Sequence, residues 1–195
     1  NIYKNVEWLA SDDLQGRFYL SAEAKRAASY ISNKFADAGW NPLSNRDSMY
    51  IPIGVDNASP NVVAMWEGSQ PSYILLLAHY DHLRPRRTGE DRIYNGADDN
   101  ASGTAALIAI AEAVGNLQPQ LKSSIVLIAT SGEEAGLLGS RHFVKEEIIP
   151  LNQIKAVINL DMISRGHPNT IFLEGSPDAP LLSAAIFEAN KKIGL

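Results

Sequence analysis

The sequence contains no cysteine among its 195 residues. This absence excludes disulfide bonds, thiolate zinc sites and cysteine nucleophiles. A metal site in this chain therefore has to be built from histidine, aspartate and glutamate. The absence does not indicate a cellular compartment, because exported and cytosolic proteins can both lack cysteine.

Long hydrophobic runs and an excess of positive charge are also missing. Apolar runs such as residues 73–78 and 125–129 are far shorter than the roughly 20 residues that span a bilayer. Seventeen Lys and Arg against 22 Asp and Glu give a net charge of −5, which argues against a nucleic-acid-binding face. We therefore predict neither a membrane span nor a nucleic-acid partner. The chain starts at Asn1, and we recognise no leader in it.

Length and composition are those of an ordinary folded protein. The chain is 45% hydrophobic and 20% charged, far from the composition of a disordered chain. It contains no internal repeat and no linker rich in glycine, serine or proline. We therefore predict one domain over residues 1–195.

Apolar spacing predicts alternating strands and helices. The predicted helices are residues 21–38, 101–117, 138–147 and 180–193, the first capped by Ser21. The predicted strands are residues 50–55, 61–66, 72–78, 124–129, 156–160 and 170–173. Because the longer strands are almost wholly apolar, we expect an α/β sheet covered by helices on both faces. Sites in such sheets form beyond the carboxyl ends of the strands.

Acidic residues and a histidine occur where predicted strands end or where a predicted helix begins. They are His79, Asp81, Asp98, Asp99, Glu133, Glu134 and Asp161. Each cluster alone has an ordinary explanation, such as a helix cap or a solvated surface. Together at one sheet edge, however, the carboxylates would repel one another unless cations held them. Imidazole and carboxylates without sulfur suit zinc, with manganese or cobalt as possible substitutes.

The local sequence patterns suggest different chemical roles for these residues. In an extended segment, His79 and Asp81 point to the same side, so the carboxylate can accept the second imidazole N–H and orient the ring. Glu133 and Glu134 are adjacent and point in different directions, so one can bind metal while the other acts as a base. We expect the remaining histidines to lie outside the site: His82 solvated or structural, His142 at the surface and His167 in a turn.

Four segments carry a family resemblance. They are HYDH at residues 79–82, NGADDNASG at 95–103, SGEEAGLLGS at 131–140 and NLDM at 159–162. In this order they resemble the M28 zinc metallopeptidases, and LQGR at residues 14–17 resembles the opening segment of exported bacterial members. The resemblance runs from about Asn5 to the last residue. It implies a three-layer α/β/α fold with a mixed, mostly parallel sheet, as in zinc exopeptidases.

The resemblance also implies roles for individual residues. Two zinc ions would be bound by His79, Asp99, Glu134 and Asp161. Asp99 would bridge the ions, with His79 and Asp161 on one and Glu134 on the other. Asp81 would orient His79, and Glu133 would be the general base that deprotonates the water between the metals.

One feature of the family pattern has no counterpart in this sequence. Members carry a further zinc-binding histidine in a segment beyond the helix that we predict at residues 180–193. No such segment is present here, so we expect the chain to be incomplete at its C-terminal side relative to the family.

The resemblance implies a dizinc aminopeptidase that acts on peptides in the periplasm or outside the cell. Arg84, Arg86 and Arg87 could instead bind a substrate carboxylate in a carboxypeptidase or dipeptidase, although we prefer to interpret them as a solvated basic loop. The sequence is also compatible with glutaminyl cyclase chemistry on one zinc, with a non-catalytic binding domain and with an inactive fragment. It does not indicate the oligomeric state.

Overall fold

The protein is described by a computed structural model that covers residues 1–167, 170–175 and 177–193. It contains two compact units, Asn1–Met162 and Ile163–Leu195. The single domain over residues 1–195 stays a prediction. All the residues that the resemblance assigns to the metal site lie in the first unit.

The first unit is built on a five-stranded sheet. Its strands are β1 (Tyr50–Ile51), β2 (Asn61–Trp66), β3 (Gln70–His79), β4 (Ser123–Thr130) and β5 (Ile154–Asn159), in the spatial order β1-β2-β4-β3-β5. β3 runs parallel to both β4 and β5, whereas β2 is antiparallel to β1 and β4. β2 thus runs opposite to the other four strands, and the mixed, mostly parallel sheet agrees with the prediction. The carboxyl ends of β3, β4 and β5 lie at one edge.

Helices cover both faces of this sheet. They are α1 (Ile2–Leu9), α2 (Ala22–Asp37), α3 (Gly103–Leu117) and α4 (Leu138–Lys145). Side chains alternate along a strand, so Val62 packs with α1, α2 and α3 on one face while Val63 packs with Phe143 of α4 on the other. Burial of each such side chain contributes about 1.5–3 kcal/mol. The result is the three-layer α/β/α arrangement that the resemblance implies.

Helix α2 shows how local sequence produces these layers. The Ser21 side chain accepts a hydrogen bond of 3.0 Å from the backbone N–H of Ala24 at the helix start. Ala28, Ile31 and Phe35 are spaced three or four residues apart and are buried against the sheet. The predicted helix at residues 21–38 is therefore confirmed to within a residue at each end.

Several predicted elements differ from the structure, and the helix predicted at residues 138–147 ends at Lys145. Residues 170–173 do not form a strand: they are exposed and have no regular strand pairing. The strand predicted at residues 50–55 is only Tyr50–Ile51, because Pro52 lacks the N–H that a longer ladder needs. The helix predicted from residue 101 begins at Gly103, since residues 97–102 form an irregular turn in which Asp99 and Asn100 have non-helical backbone angles.

The second unit contains helix α5 (Pro180–Ile193), as predicted. Proline suits the first helical position, where its missing N–H leaves no hydrogen bond unmade. The Ser183 hydroxyl donates a hydrogen bond of 3.0 Å to the carbonyl of Ala179. Across the described part of the chain, every helix is too short or too polar to cross a bilayer.

Candidate metal centre

The residues singled out from the sequence come from four separate segments. His79 ends β3, Asp99 lies in the turn before α3, Glu133 and Glu134 follow β4, and Asp161 follows β5. The parallel arrangement of β3, β4 and β5 brings three of these segments to the same edge of the sheet. The turn before α3 adds Asp99 to them.

His79 faces two of the carboxylates. Its Nε2 lies 3.1 Å from Oδ1 of Asp99 and 3.4 Å from Oδ1 of Asp161. Its Nδ1 lies 3.0 Å from the backbone carbonyl oxygen of Asp81. Because a carbonyl only accepts, Nδ1 is the donor in this contact, and Nε2 is the ring nitrogen left to bind a metal ion between the two carboxylates.

The side chain of Asp81 has a different partner from the one we expected. Its Oδ1 is 4.0 Å from Nδ1 of His79, so the backbone carbonyl of Asp81, not the carboxylate, is the near acceptor. Instead, Oδ1 accepts a hydrogen bond of 3.2 Å from the backbone N–H of Glu133. Asp81 is fully buried, and burial raises the pKa of its carboxyl to about 6. The carboxylate thus connects the end of β3 to the loop that carries both glutamates.

We expected His82 to be solvated or structural, and the first of these alternatives is wrong. Only 8% of the residue is exposed. Its Nδ1 lies 2.7 Å from Oε1 of Glu134 and 3.7 Å from Oδ2 of Asp99. Burial lowers the pKa of the His82 imidazole. Burial is also the main cause that raises the pKa of Glu134, and the negative charge of Asp99 raises it further. The one available signal in the sequence was the position of His82 in the same short segment as His79.

These contacts form two groups that fit a metal ion. One contains His79, Asp99 and Asp161, and the other contains His82, Asp99 and Glu134; within each, one nitrogen and two carboxylate oxygens lie within 4.8 Å of one another. Three nitrogen and oxygen ligands with a position left for water or substrate suit catalytic zinc. Three buried side-chain atoms in this region, Oδ2 of Asp81, Nδ1 of His82 and Oε1 of Glu134, have no hydrogen-bond partner. A cation between the ligands would compensate the last two.

Arg17 fixes two of the chain segments that form the site, and this role was not predicted from the sequence. The residue is fully buried. Its guanidinium donates hydrogen bonds to the backbone carbonyls of Tyr80 at 2.8 Å, Asn95 at 2.8 Å and Gly96 at 3.0 Å, and also to that of Leu9. Burial lowers the pKa of Arg17 to about 10 although Asp81 and Asp99 oppose the shift. Arg17 therefore ties the segment after β3 to the one before Asp99.

Gly96 makes this close approach possible. Its φ is +58°, a left-handed conformation that favours glycine. A Cβ at this position would lie 2.4 Å from the carbonyl oxygen of Asp99 and 2.7 Å from both Nη2 of Arg17 and Cδ2 of His82. The turn can thus pack against both side chains only without a side chain of its own.

Polar side chains also brace the loop that carries Glu133 and Glu134. Asn61 accepts a hydrogen bond of 3.0 Å from the N–H of Ser131 and donates one of 2.9 Å to the carbonyl of Gly139. The hydroxyls of Ser59 and Ser131 are 2.6 Å apart. Both ends of the loop are therefore fixed to the segment around the start of β2.

The remaining residues named from the sequence lie apart from these groups. Arg84 and Arg86 stack over aromatic rings, 4.3 Å from the Phe18 centroid and 4.5 Å from the Tyr94 centroid, and Arg84, Arg86 and Arg87 are exposed. Half-buried His142, which we expected at the surface, lies beside Gly54. His167 is exposed in a bend, as expected.

Sequence comparison identifies the family. Residues 61–195 match the model of Peptidase family M28. The alkaline phosphatase isozyme conversion protein of Escherichia coli is 30% identical over 155 residues, which are 72% of this chain and 44% of that protein. A probable lipoprotein aminopeptidase, LpqL of Mycobacterium tuberculosis, is 31% identical over 123 residues, or 62% of this chain and 23% of that protein. The chain spans less than half the length of the curated relatives it matches.

Solved structures share the fold. A Zn-dependent exopeptidase from Parabacteroides distasonis has a TM-score of 0.75 at 21% identity, covering 99% of this chain and 71% of that one. A glutaminyl cyclase from Bacteroides thetaiotaomicron has a TM-score of 0.72 at 23% identity, covering 99% and 72%. At such identities the likeness establishes the fold alone. Because the family model matches well over half of the sequence, this chain belongs to peptidase family M28.

Proposed function

We propose that this chain carries the active site of a zinc-dependent aminopeptidase that removes N-terminal residues from peptides. The observation that carries the proposal is the position of Asp99. Its Oδ1 lies 3.1 Å from Nε2 of His79, and its Oδ2 lies 3.7 Å from Nδ1 of His82 in the group that contains Glu134. A carboxylate shared in this way between two ligand groups is suited to a pair of metal ions.

In this proposal the ligands divide between two zinc ions. His79, Asp99 and Asp161 would hold one ion, and Asp99 and Glu134 would contribute to the other. Bound zinc would supply a Lewis acid for the scissile carbonyl and positive charge for the oxygen on which negative charge develops. The side chains of Asp99 and Asp161 are 35% and 41% exposed, which gives a peptide access to the ligand groups.

Glu133 is the general base in this proposal. The carboxylate of Asp81 accepts a hydrogen bond from the backbone N–H of Glu133. The Glu133 side chain is half-buried next to Glu134 in the same braced loop. Glu133 accepts a proton from the attacking water as the carbon–oxygen bond forms. It then donates that proton to the amine nitrogen as the carbon–nitrogen bond breaks. The products are a free amino acid and a peptide shortened by one residue.

We also propose peptides as the substrates and an extracytoplasmic location. Membership of a peptidase family supports peptides as substrates. A relative named as a lipoprotein aminopeptidase supports the extracytoplasmic location.

The test is hydrolysis by the zinc-loaded chain of leucine 4-nitroanilide and of its N-acetylated form. An aminopeptidase should cleave the free substrate and reject the blocked one. Cleavage of N-acetylated peptides from the carboxyl end would instead indicate a carboxypeptidase, and cyclisation of a glutamine-initiated peptide would indicate a cyclase. Zinc binding without turnover of any of these substrates would contradict the proposal and leave a non-catalytic domain or an inactive fragment.

A further inference from the structure

Arginines are concentrated in one loop of this acidic protein. Residues 84–92, which we call the arginine loop, contain Arg84, Arg86, Arg87 and Arg92 but only two acidic residues. The backbone N–H of Arg86 donates a hydrogen bond of 2.8 Å to the carbonyl of Arg92, which brings the two ends of the loop together. All four arginines are exposed. The loop is therefore a positive patch on a chain whose net charge is −5.

Two of these arginines are held by aromatic rings. Cζ of Arg84 lies 4.3 Å from the ring centroid of Phe18, and Cζ of Arg86 lies 4.5 Å from that of Tyr94. Nε of Arg86 also donates a hydrogen bond of 2.7 Å to the Tyr94 hydroxyl. Because stacking already orders these side chains, less conformational entropy remains to be lost when they bind a ligand. A merely solvated basic loop does not require this order.

Both rings belong to segments that form the metal centre. Phe18 follows Arg17, whose carbonyl accepts a hydrogen bond of 3.4 Å from the backbone N–H of His82. The centroid of the Tyr94 ring lies 6.4 Å from that of the His82 ring. An extended peptide advances about 3.3–3.6 Å per residue, so a side chain about three residues from a bond at the metal centre can reach Arg86.

The two stacked guanidiniums have no acidic partner among the described residues. The salt bridges in that part of the chain lie elsewhere, and neither Arg84 nor Arg86 is within 4.0 Å of a carboxylate oxygen. A planar guanidinium whose NH₂ groups are open can bind a carboxylate through two parallel hydrogen bonds. In a protein that acts on peptides, the groups that fit are the side-chain carboxylates of aspartate and glutamate.

We infer that Arg84 and Arg86 are specificity-determining residues that favour peptides with aspartate or glutamate shortly after the residue to be removed. The inference rests on the proposed function and names a class of substrate for it. The arginines bind side-chain carboxylates and take no part in breaking the peptide bond. Because exposed ion pairs are individually weak, we expect a preference of about 3- to 10-fold from both arginines together.

The first measurement compares two amidated peptides of the same shape, Leu-Ala-Asp-Asp-Ala and Leu-Ala-Asn-Asn-Ala, as substrates of the zinc-loaded chain. We expect kcat/KM to be about 3- to 10-fold higher for the acidic peptide, through KM and not kcat. In the double variant Arg84→Gln/Arg86→Gln this preference should disappear. Arg141→Gln, which removes an exposed arginine of α4, is the matched control and should keep the preference.

Charge reversal separates recognition of a carboxylate from general damage to the loop. Arg86→Glu should disfavour the acidic peptide and favour Leu-Ala-Lys-Lys-Ala, whereas damage alone would slow all three peptides by the same factor. The preference of the unmodified protein should also shrink between about 0.1 M and 1 M salt, because the screening length falls from about 10 Å to about 3 Å.

A binding measurement does not depend on turnover. The zinc-loaded Glu133→Gln variant should bind these peptides without cleaving them. Fluorescence polarisation with labelled peptides should show that it binds the acidic peptide about 3- to 10-fold more tightly than the amide peptide. Adding Arg84→Gln and Arg86→Gln to this variant should remove the difference.

The outcomes separate this inference from the proposed function. Equal kcat/KM and equal affinity for the acidic and amide peptides would overturn the inference and leave the proposed function intact. A preference that survives in Arg84→Gln/Arg86→Gln, or equal slowing of all three peptides in Arg86→Glu, would do the same. Tighter binding of the acidic peptide without cleavage of any peptide would overturn the proposed function and leave the arginine loop as a binding site for acidic peptides.

Discussion

Asn100 fixes the main chain on both sides of Asp161. Its side-chain NH₂ donates a hydrogen bond of 2.9 Å to the carbonyl of Leu160, and its Oδ1 accepts one of 3.3 Å from the N–H of Met162. The same Oδ1 accepts from the N–H of Gly103 at 3.0 Å, at the start of α3. Asn100, the residue next to Asp99, therefore fixes the position of the Asp161 backbone.

Replacing Asn100 by aspartate should damage this link without changing the size of the side chain. The variant loses the donor to the Leu160 carbonyl and puts a carboxylate against it, so we expect Asn100→Asp to lower the free energy of unfolding by about 2 kcal/mol. It should also weaken zinc binding by the His79 group. Urea unfolding and zinc titration measure the two effects. Asn116→Asp, an exposed substitution on α3, should leave both unchanged.

Arg17 should be hard to replace by any other residue. Arg17→Met leaves the carbonyls of Tyr80, Asn95 and Gly96 without this donor, and we expect a loss of at least about 3 kcal/mol of stability. Arg17→Lys should recover little of it, because an ammonium cannot reach several carbonyls as a planar guanidinium does. The measurement is urea unfolding. Arg26→Met, whose exposed guanidinium makes one 3.3 Å contact to Asp13, is the control, and equal losses in the two methionine variants would contradict the assigned role.

Gly96→Ala tests the close packing beneath His82. The added methyl meets the carbonyl of Asp99 and the Arg17 guanidinium, so we expect a loss of about 2 kcal/mol or more and weaker zinc binding. Gly39→Ala is the control: its φ is also positive, at +84°, but the nearest atom to its Cβ would be 3.8 Å away. Thermal unfolding of both variants separates the cost of the backbone conformation from that of the contact. A smaller effect at Gly96 than at Gly39 would argue against the packing role.

Glu133→Gln tests the general base. Glutamine has the same shape but cannot accept the proton, so turnover should fall by about 100- to 10,000-fold. The number of bound zinc ions should not change, because Glu133 is outside both ligand groups. Glu67→Gln, an exposed substitution at the opposite end of the sheet, should retain full turnover. Activity that survives Glu133→Gln would remove the role proposed for this residue.

Zinc should stabilise the fold. At a free zinc concentration about 100 times Kd, an ion that binds the native state alone adds about 2.7 kcal/mol, which raises the Tm of a domain of this size by about 5–10 °C. Calorimetry before and after chelation measures the shift. In His79→Ala most of this stabilisation should be lost, and an equal shift in that variant would contradict the assignment of the His79 group.

Much of this arrangement could be predicted from the sequence because its signals are local. The apolar runs of β2, β3 and β4 identify strands buried on both faces, and Ser21 marks the start of α2. The charged residues that follow β3, β4 and β5 could likewise be assigned to one edge, since parallel strands end together. The contacts of His82 were not predictable in this way, because Asp99 and Glu134 come from distant segments.

The supporting residues were missed for a related reason. Nothing in the local sequence indicates which carbonyls Arg17 reaches or that Asn100 spans Asp161, because these partners are set by tertiary structure. Residues 170–173 are the opposite case. Their composition favours a strand, but a strand also needs a neighbouring strand, and in the described structure these residues do not join the sheet.

The reversed direction of β2 affects how tightly metal can bind. Because β2 is antiparallel to β4, its first residue, Asn61, lies at the edge where β4 ends, and there it holds the loop from Ser131 to Gly139. The conformational entropy of this loop is thus lost during folding and not when an ion arrives. We therefore expect the zinc affinity at Glu134 to depend on the ligands themselves. Little binding free energy should be lost in ordering the chain around them.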